Sequence, residues 1–388
     1  MSKDQEEIRK YAVVDGSQEI SYSEKYFDTQ VNDVDRFHLF AGLFEYLDHY
    51  GLITLVNKPA EMDAMELLFM KSKNAYTGGL AFDIKNKLAD LQVILFNHYL
   101  ERNNHSIEKV IESFINDHLN QYFNVRDIRF KLPRRDSIYL EKIRLLAPEF
   151  ESLLKQYQTY VDEGRIDFDL IAISFHPLWF DEIKSNVAKK YVYPVHNEIY
   201  RLQYLFCSDQ SPLYYVEEFK NKYENLYDLL KNEQISIDAF KEYQQDIIKQ
   251  LIAQEYLFVD SGRRLRFKKN ILLFLVHELN KTEVISYWYF PEAIRKVIDE
   301  MADAGYLKFE NRLFTAPEVD FFNFYLNKKE FTNGMDLRNK YMHGTNNSAD
   351  TQQKMEYFIL LKLIILTLLK IEDDLFIQSA VSDKGTAG

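Results

Sequence analysis

Between Asp336 and Gly344 the chain runs Asp336-Leu337-Arg338-Asn339-Lys340-Tyr341-Met342-His343-Gly344. Arg338 is a permanent cation whose planar fork matches phosphate oxygens. His343 exchanges a proton near neutral pH, and Asn339 can orient either group by a hydrogen bond. Together these residue types suit acid–base chemistry at a phosphate. A five-residue step on a regular helix rotates about 140°, so Arg338 and His343 converge only where the helix ends or bends. Gly344 supplies an end, because glycine tolerates the left-handed conformation at a helix C-terminus. An Arg-to-His spacing alone carries little information in a chain with 9 histidines. Leu337, Asn339 and Gly344 around the pair are what make the stretch specific.

Two further basic segments are candidates for phosphate contact. One is Arg126 to Arg135, which alternates charged and apolar side chains and is expected as a strand. Arg129, Arg134 and Arg135 there form either an RNA contact strip or the guard charges of a solvated edge strand. The other is Arg263, Arg264 and Arg266 with Lys268 and Lys269, on a hairpin turning at Asp260 to Gly262. That wing either touches phosphates or serves as a structural or protein-contacting element. No metal is expected. His98, His105 and His118 form no close ligand pattern, and nothing fixes the spacing of Asp181, Glu182, His196 and Glu198. The Gly78-Gly79 pair lacks the lysine of a phosphate loop and reads as a turn.

The elements that must position these residues are mostly helices. The chain has 388 residues, 46% of them hydrophobic, and only 12 Gly and 8 Pro, which favours long helices with short joints. One cysteine, Cys207, excludes an internal disulfide and a cysteine zinc site. The net charge of −12 argues against indiscriminate coating of nucleic acid but leaves room for a local basic groove. The first residues are too polar for a signal peptide, and the apolar run from Tyr357 to Ile371 is short of a bilayer span and broken by Lys362. A cytoplasmic location and no membrane contact are expected.

Along the chain, helices are expected over Val34–Tyr50, Ala60–Met70, Phe82–Arg102, His105–Phe123 (opened by Ser106), Ser137–Val161 (broken at Pro148), Leu213–Leu230 and Glu318–Lys328. A pattern recurs fifty residues apart. Ile247, Ile248, Leu251, Tyr256 and Leu257 align with Val297, Ile298, Met301, Tyr306 and Leu307, each a helix running into a short hairpin, as in a winged helix. The second hairpin is expected over Lys308–Phe314. The helix from Thr351 to about Ile371 is apolar on nearly all sides, which implies burial against its own domain on one face and a partner on another. The expected division is residues 1–207, a multi-helix region; 213–314, a helical region with two winged-helix-like helix–hairpin units; 317–372, the core of a helical domain bearing the motif; and 378–388, a disordered tail.

Leu337, Arg338, Asn339, His343 and Gly344, followed by a polar gap and a long apolar helix, resemble the signature of the HEPN superfamily, with Lys329 to Gly334 resembling the approach to it. The resemblance covers roughly 317–372. It implies a HEPN-type helical bundle and a metal-independent endoribonuclease cutting tRNA or mRNA. His343 would transfer protons, Arg338 would stabilise charge, Asn339 would fix their geometry, and Lys340 would contact RNA. It further implies a homodimer through the C-terminal helices, a role in phage defence or as a toxin, and an antitoxin or sensor partner. Two other readings stand beside it: a non-catalytic HEPN module binding nucleotide, RNA or protein, and a winged-helix DNA-binding regulator with a helical dimerisation domain.

Overall fold

The computed structural model describes every residue except 15–16, 30–31, 63–64, 66–73, 174–178, 221, 343–348 and 387–388. The chain is mostly helical, and the described residues form three small sheets. It divides into two units. The first joins Met1–Asn57, Glu61–Val187 and Arg312–Gly388, and the second is Ala188–Asn311 with Lys58–Ala60. The divisions thus fall near 187 and 311, away from the 207/213 boundary that the Ser208–Pro212 linker composition suggested.

The first unit opens with a hairpin, β1 (Arg9–Val14) and β2 (Ser17–Tyr22), then α1 (Glu24–Asp28) and α2 (Asp33–Leu43). Asn32 caps α2 through its side-chain oxygen, which accepts from Asp35 N at 2.8 Å. The helix stops seven residues before the expected Tyr50, and Glu45 and Gly51 take positive φ in the turns that follow. Next come α3 (Leu80–Arg102) and α4 (Ile107–Ser113), the latter capped by Ser106, and a nine-residue π-helix over Phe114–Tyr122. Helix α5 (Tyr139–Glu163) is continuous through Pro148 and ends at Gly164, whose φ of 71° is the left-handed cap. Helix α6 (Phe168–Ile173) follows.

The segment Arg126 to Arg135 forms no strand. Arg126 and Asp127 adopt φ of 56° and 65°, which breaks any extended run. Its amides are bonded instead by side chains: Ile128 N donates to Asn120 Oδ1, Arg129 N to Gln156 Oε1 and Lys131 N to Glu149 Oε2, at 2.8–2.9 Å. With those donors satisfied, a ladder partner is not needed.

The second unit starts with β3 (Tyr191–Pro194), α7 (Asn197–Cys207) and α8 (Leu226–Asn232). The expected helix Leu213–Leu230 is confined to α8 and a 3-10 turn at Glu217–Phe219. The fifty-residue repeat is present in the backbone. In the first copy, Ile235-Ser236 leads to a 3-10 turn (Ile237–Ala239), α9 (Glu242–Ala253), β4 (Leu257–Val259) and β5 (Leu265–Phe267). In the second, α10 (Asn270–Thr282) is followed by β6 (Ile285–Ser286), a 3-10 turn (Tyr287–Tyr289), α11 (Glu292–Asp303) and β7 (Leu307–Glu310). Glu255 and Gly305, both at positive φ, end the two helices in register, and Tyr256 N and Tyr306 N bond back to Leu251 O and Met301 O.

The copies differ in one strand. β5 pairs with β4 and also meets Ile235-Ser236, through Leu265 N to Ile235 O at 2.8 Å. The second copy has no local hairpin. β7 pairs with β3, the middle strand of the order β6-β3-β7, so the place of β5 is filled from upstream. The reason is that the chain rejoins the first unit at Arg312, where it bridges Lys184.

Back in the first unit, α12 (Ala316–Leu326) begins with a reciprocal capping box between Thr315 and Glu318. It is followed by α13 (Leu337–Met342) and α14 (Asp350–Thr386). α14 packs against α3 and α5, and α13 against α5 and α12. α14 continues helical well past 378, where a disordered tail was expected. Its side chains from Tyr357 to Leu369 are all buried by the chain itself, including Lys362, which pairs with Asp90 at 2.7 Å. The all-round apolarity therefore reflects a central core helix, and the expectation that one face awaits a partner loses its basis.

Candidate functional site

The described part of the motif, up to Met342, lies on α13 and its first turn. Leu337 and Tyr341, four residues apart, are 3% and 2% exposed and anchor α13 in the core. That anchoring turns Arg338 to the surface of α5. Its Nη2 lies 2.7 Å from Glu151 Oε2, and both side chains keep about a quarter of their surface in solvent. Glu151 also pairs with Lys155, one turn along α5, at 3.1 Å. The pair sits on the rim of a small, largely apolar pocket walled by Phe150, Leu154, Trp179, Phe180, Leu326 and Leu360. Arg338 thus has its cationic head beside a small apolar hollow with aromatic walls.

The neighbours of Arg338 are differently employed. Asn339 Nδ2 donates to Asp336 Oδ1 at 2.8 Å, closing the start of α13, so it orients its own helix rather than Arg338. Lys340 Nζ and Tyr341 Oη both bond the carboxylate of Glu356 on α14, which is 3% exposed. Lys340 therefore ties α13 to α14 and is not a spare cation for RNA. His343 and Gly344 lie outside the described residues, as does the convergence expected of Arg338 and His343.

The other basic candidates are distributed over both units. Arg129 stacks its guanidinium over the Phe168 ring at 3.9 Å, and Arg134 and Arg135 are exposed. In the wing, the turn is built around Asp260, whose Oδ1 accepts from Gly262 N and Arg264 N at 2.9 Å and whose Oδ2 pairs with Arg266 at 3.2 Å. Those bonds hold the Asp260 carboxyl below its usual range, the backbone bond from Arg264 foremost. Arg263 at the tip has φ of 63°, and Arg263 and Arg264 are exposed. Cys207 is no nucleophile, since burial pushes its thiol up to about 12.

The fold also assembles a group that spacing in the sequence does not betray. His38 on α2 and His118 on the π-helix both direct Nε2 at Glu372 Oε1 on α14, at 2.6 and 2.5 Å. The three residues are separated by 80 and 254 positions, so no local pattern links them. His118 does not pair with His98 or His105, but it belongs to a potential ligand set that the sequence reading missed. Burial alone would raise the Glu372 carboxyl, and bonds from both histidines more than reverse this, holding it below the ordinary range.

No helix among the described residues is long and apolar enough to cross a membrane. Compared with protein-family models, with curated proteins and with solved structures, the chain matches none of them.

Proposed function

We propose that this protein is an endoribonuclease acting on tRNA or mRNA through Arg338 and His343, with no metal in the cleavage step. The observation that carries the reading is the seat of Arg338. With Leu337 it lines a pocket, and it already holds an oxyanion, the Glu151 carboxylate, at 2.7 Å. A phosphate presents the same pair of oxygens to the guanidinium fork. Exchanging Glu151 for phosphate costs little, because a pair this exposed is worth about 1 kcal/mol or less.

In the proposed reaction His343 accepts the proton of the 2′-hydroxyl as its oxygen bonds to phosphorus. The bond from phosphorus to the 5′-oxygen breaks, and that oxygen takes up a proton. The products are a 2′,3′-cyclic phosphate and a free 5′-hydroxyl. Arg338 stabilises the charge on the crowded phosphorus, and a base stacked against the aromatic side chains beside it would hold the chain in line. A second histidine from a paired copy would serve the leaving oxygen. Such pairing has to use a surface other than Tyr357–Leu369, whose side chains are already covered. Phage defence or a toxin role, held in check by a protein partner in the cytoplasm, completes the proposal.

The test is incubation of the purified chain with total tRNA in EDTA, beside Arg338→Ala and His343→Ala. Wild-type cleavage leaving cyclic phosphate ends, reduced at least about 100-fold in each variant, is the expected result. RNA binding without cleavage by any of the three proteins would mean a non-catalytic module. Duplex-DNA binding that is lost on Arg263→Ala with Arg264→Ala, again without cleavage, would mean a winged-helix regulator.

A further inference from the structure

We propose that His38, His118 and Glu372 form a binding site for a divalent first-row transition metal ion, Zn2+ being the natural probe. The three ligand atoms come from three separate elements and lie within 4.8 Å of one another. An ion with metal–nitrogen and metal–oxygen bonds of roughly 2.0–2.2 Å spaces its ligands roughly 3.3 Å apart in a tetrahedron. The two Nε2–Oε1 distances, 2.6 and 2.5 Å, need to open by less than about 1 Å to admit it.

Three features favour an ion over a plain hydrogen-bonded cluster. First, both imidazoles aim at the same carboxylate oxygen, and the described residues place no hydrogen bond on Glu372 Oε2. A shared ion on Oε1 would leave the second oxygen free to chelate. Second, the rings are held by packing in a convergent pose. Their planes cross at 80° with centroids 4.9 Å apart, and His118 is flanked by Tyr122, stacked at 8°, by a tilted Phe114 and by the edge of Phe123. Third, His118 stands on a π-helix, a costly geometry that recurs where a side chain must be re-aimed for function.

The donor set decides the metal class. Two imidazoles and a carboxylate with no sulfur suit Zn2+, Mn2+, Fe2+, Co2+ or Ni2+, and disfavour Ca2+ and Mg2+, which take oxygen ligands. Glu372 and His118 are 9% and 11% exposed at the side chain while His38 is 39% exposed, so the site is rooted in the core and reached past His38. Three protein ligands leave at least one position for water. Leu360, which lines the Arg338 pocket, and Glu372 are twelve residues apart on α14, about 18 Å along the axis. The ion would therefore clamp α2, the π-helix and α14 together and take no part in the cleavage proposed above.

The test uses the untagged full chain, stripped with EDTA and dialysed. Zn2+ alone is titrated in by calorimetry, Co2+ binding is followed by its visible d–d absorption, and the Tm is read with and without Zn2+. The expected result is one ion per chain bound at about micromolar Kd or tighter, a Co2+ spectrum with imidazole ligation, and a Tm that Zn2+ raises. Glu372→Gln and His38→Gln should each weaken binding at least 100-fold and abolish the rise in Tm. The half-exposed His38 position keeps the test valid if Glu372→Gln fails to fold. No binding by the wild type, or binding equal in wild type and His38→Gln, overturns the site. RNA cleavage in the two variants is read separately, and its presence or absence leaves the metal result unaffected.

Discussion

Lys370 has no exposed side-chain surface, and its ammonium is held by Gly51 O at 2.7 Å and Glu318 Oε1 at 3.1 Å. Glu318, 2% exposed, also accepts from Ile53 N and Thr315 N at 2.8 Å, so one buried ion pair fastens α14 to the start of α12 and to the turn after α2. Removing one partner strands the other charge in the core, a loss of about 3–5 kcal/mol. Lys370→Ala should lower the urea midpoint accordingly, and Lys370→Met combined with Glu318→Gln should recover most of that loss. A double variant no better than the single would mean that packing, not charge, holds the joint. Arg338 and Glu151 are the opposite case, exposed enough that Arg338→Ala should cost about 1 kcal/mol or less while eliminating the proposed activity. In the sequence, Leu337 reads only as part of the motif's signature and Tyr341 is given no role, although their four-residue apolar spacing is that of the buried pair that anchors α13. Glu151, 187 positions from Arg338, was not legible there, and neither was the joining of His38, His118 and Glu372. Partners that distant are fixed by tertiary packing and leave no local pattern.

On the element scale, α10 carries a buried group that makes the second unit sensitive to acid. His277 is 5% exposed, its ring stacks on Tyr227 at 4.1 Å, and its Nδ1 makes no hydrogen bond among the described residues. Burial, with Lys281 nearby, pushes its pKa down to about 4 from the model-peptide 6.5. Between those values the unfolded chain binds the proton and the folded chain does not. Stability is therefore full above pH 6.5 and is lost as pH falls toward 4, by up to about 3 kcal/mol. In a Trp179→Phe background the fluorescence of Trp288 reports this unit. Its urea midpoint should drop between pH 7 and pH 5, and the drop should shrink in His277→Leu. An equal drop in both would assign the acid sensitivity elsewhere. Elements with a strong period were readable in advance: α3, α12 and the fifty-residue repeat lie close to where apolar spacing puts them. Two local rules failed against packing. Pro148 does not break α5, since Leu146 and Phe150 on either side are buried at 0% and 3% and hold both halves in line. The alternation from Arg126 to Arg135 is no strand, because side chains of the π-helix and α5 satisfy its amides first.

For the whole molecule, the decisive feature is that residues 188–311 enter and leave the first unit at one place. Lys184 and Arg312 form an antiparallel bridge, and Leu313 N donates to Ile183 O at 2.9 Å. Within the inserted unit, Tyr191 on β3 pairs with Glu310 on β7, so its two ends are also adjacent. A segment attached at two neighbouring points can be removed without stretching the chain it leaves, and each part keeps its own core. Replacing 188–311 by a short Gly-Ser linker should therefore yield a helical protein with one cooperative unfolding transition. The excised segment made alone should show dispersed amide resonances. A shortened chain that binds hydrophobic dyes and melts without a transition would mean that the first unit depends on the insert. Glu151, Arg338, the pocket beside them and the His38–His118–Glu372 cluster all belong to the first unit. The shortened chain should accordingly keep the proposed cleavage and the proposed Zn2+ site. Loss of RNA affinity with the cleavage rate at saturating RNA unchanged would assign the insert, and its exposed Arg263 and Arg264, to gripping the substrate.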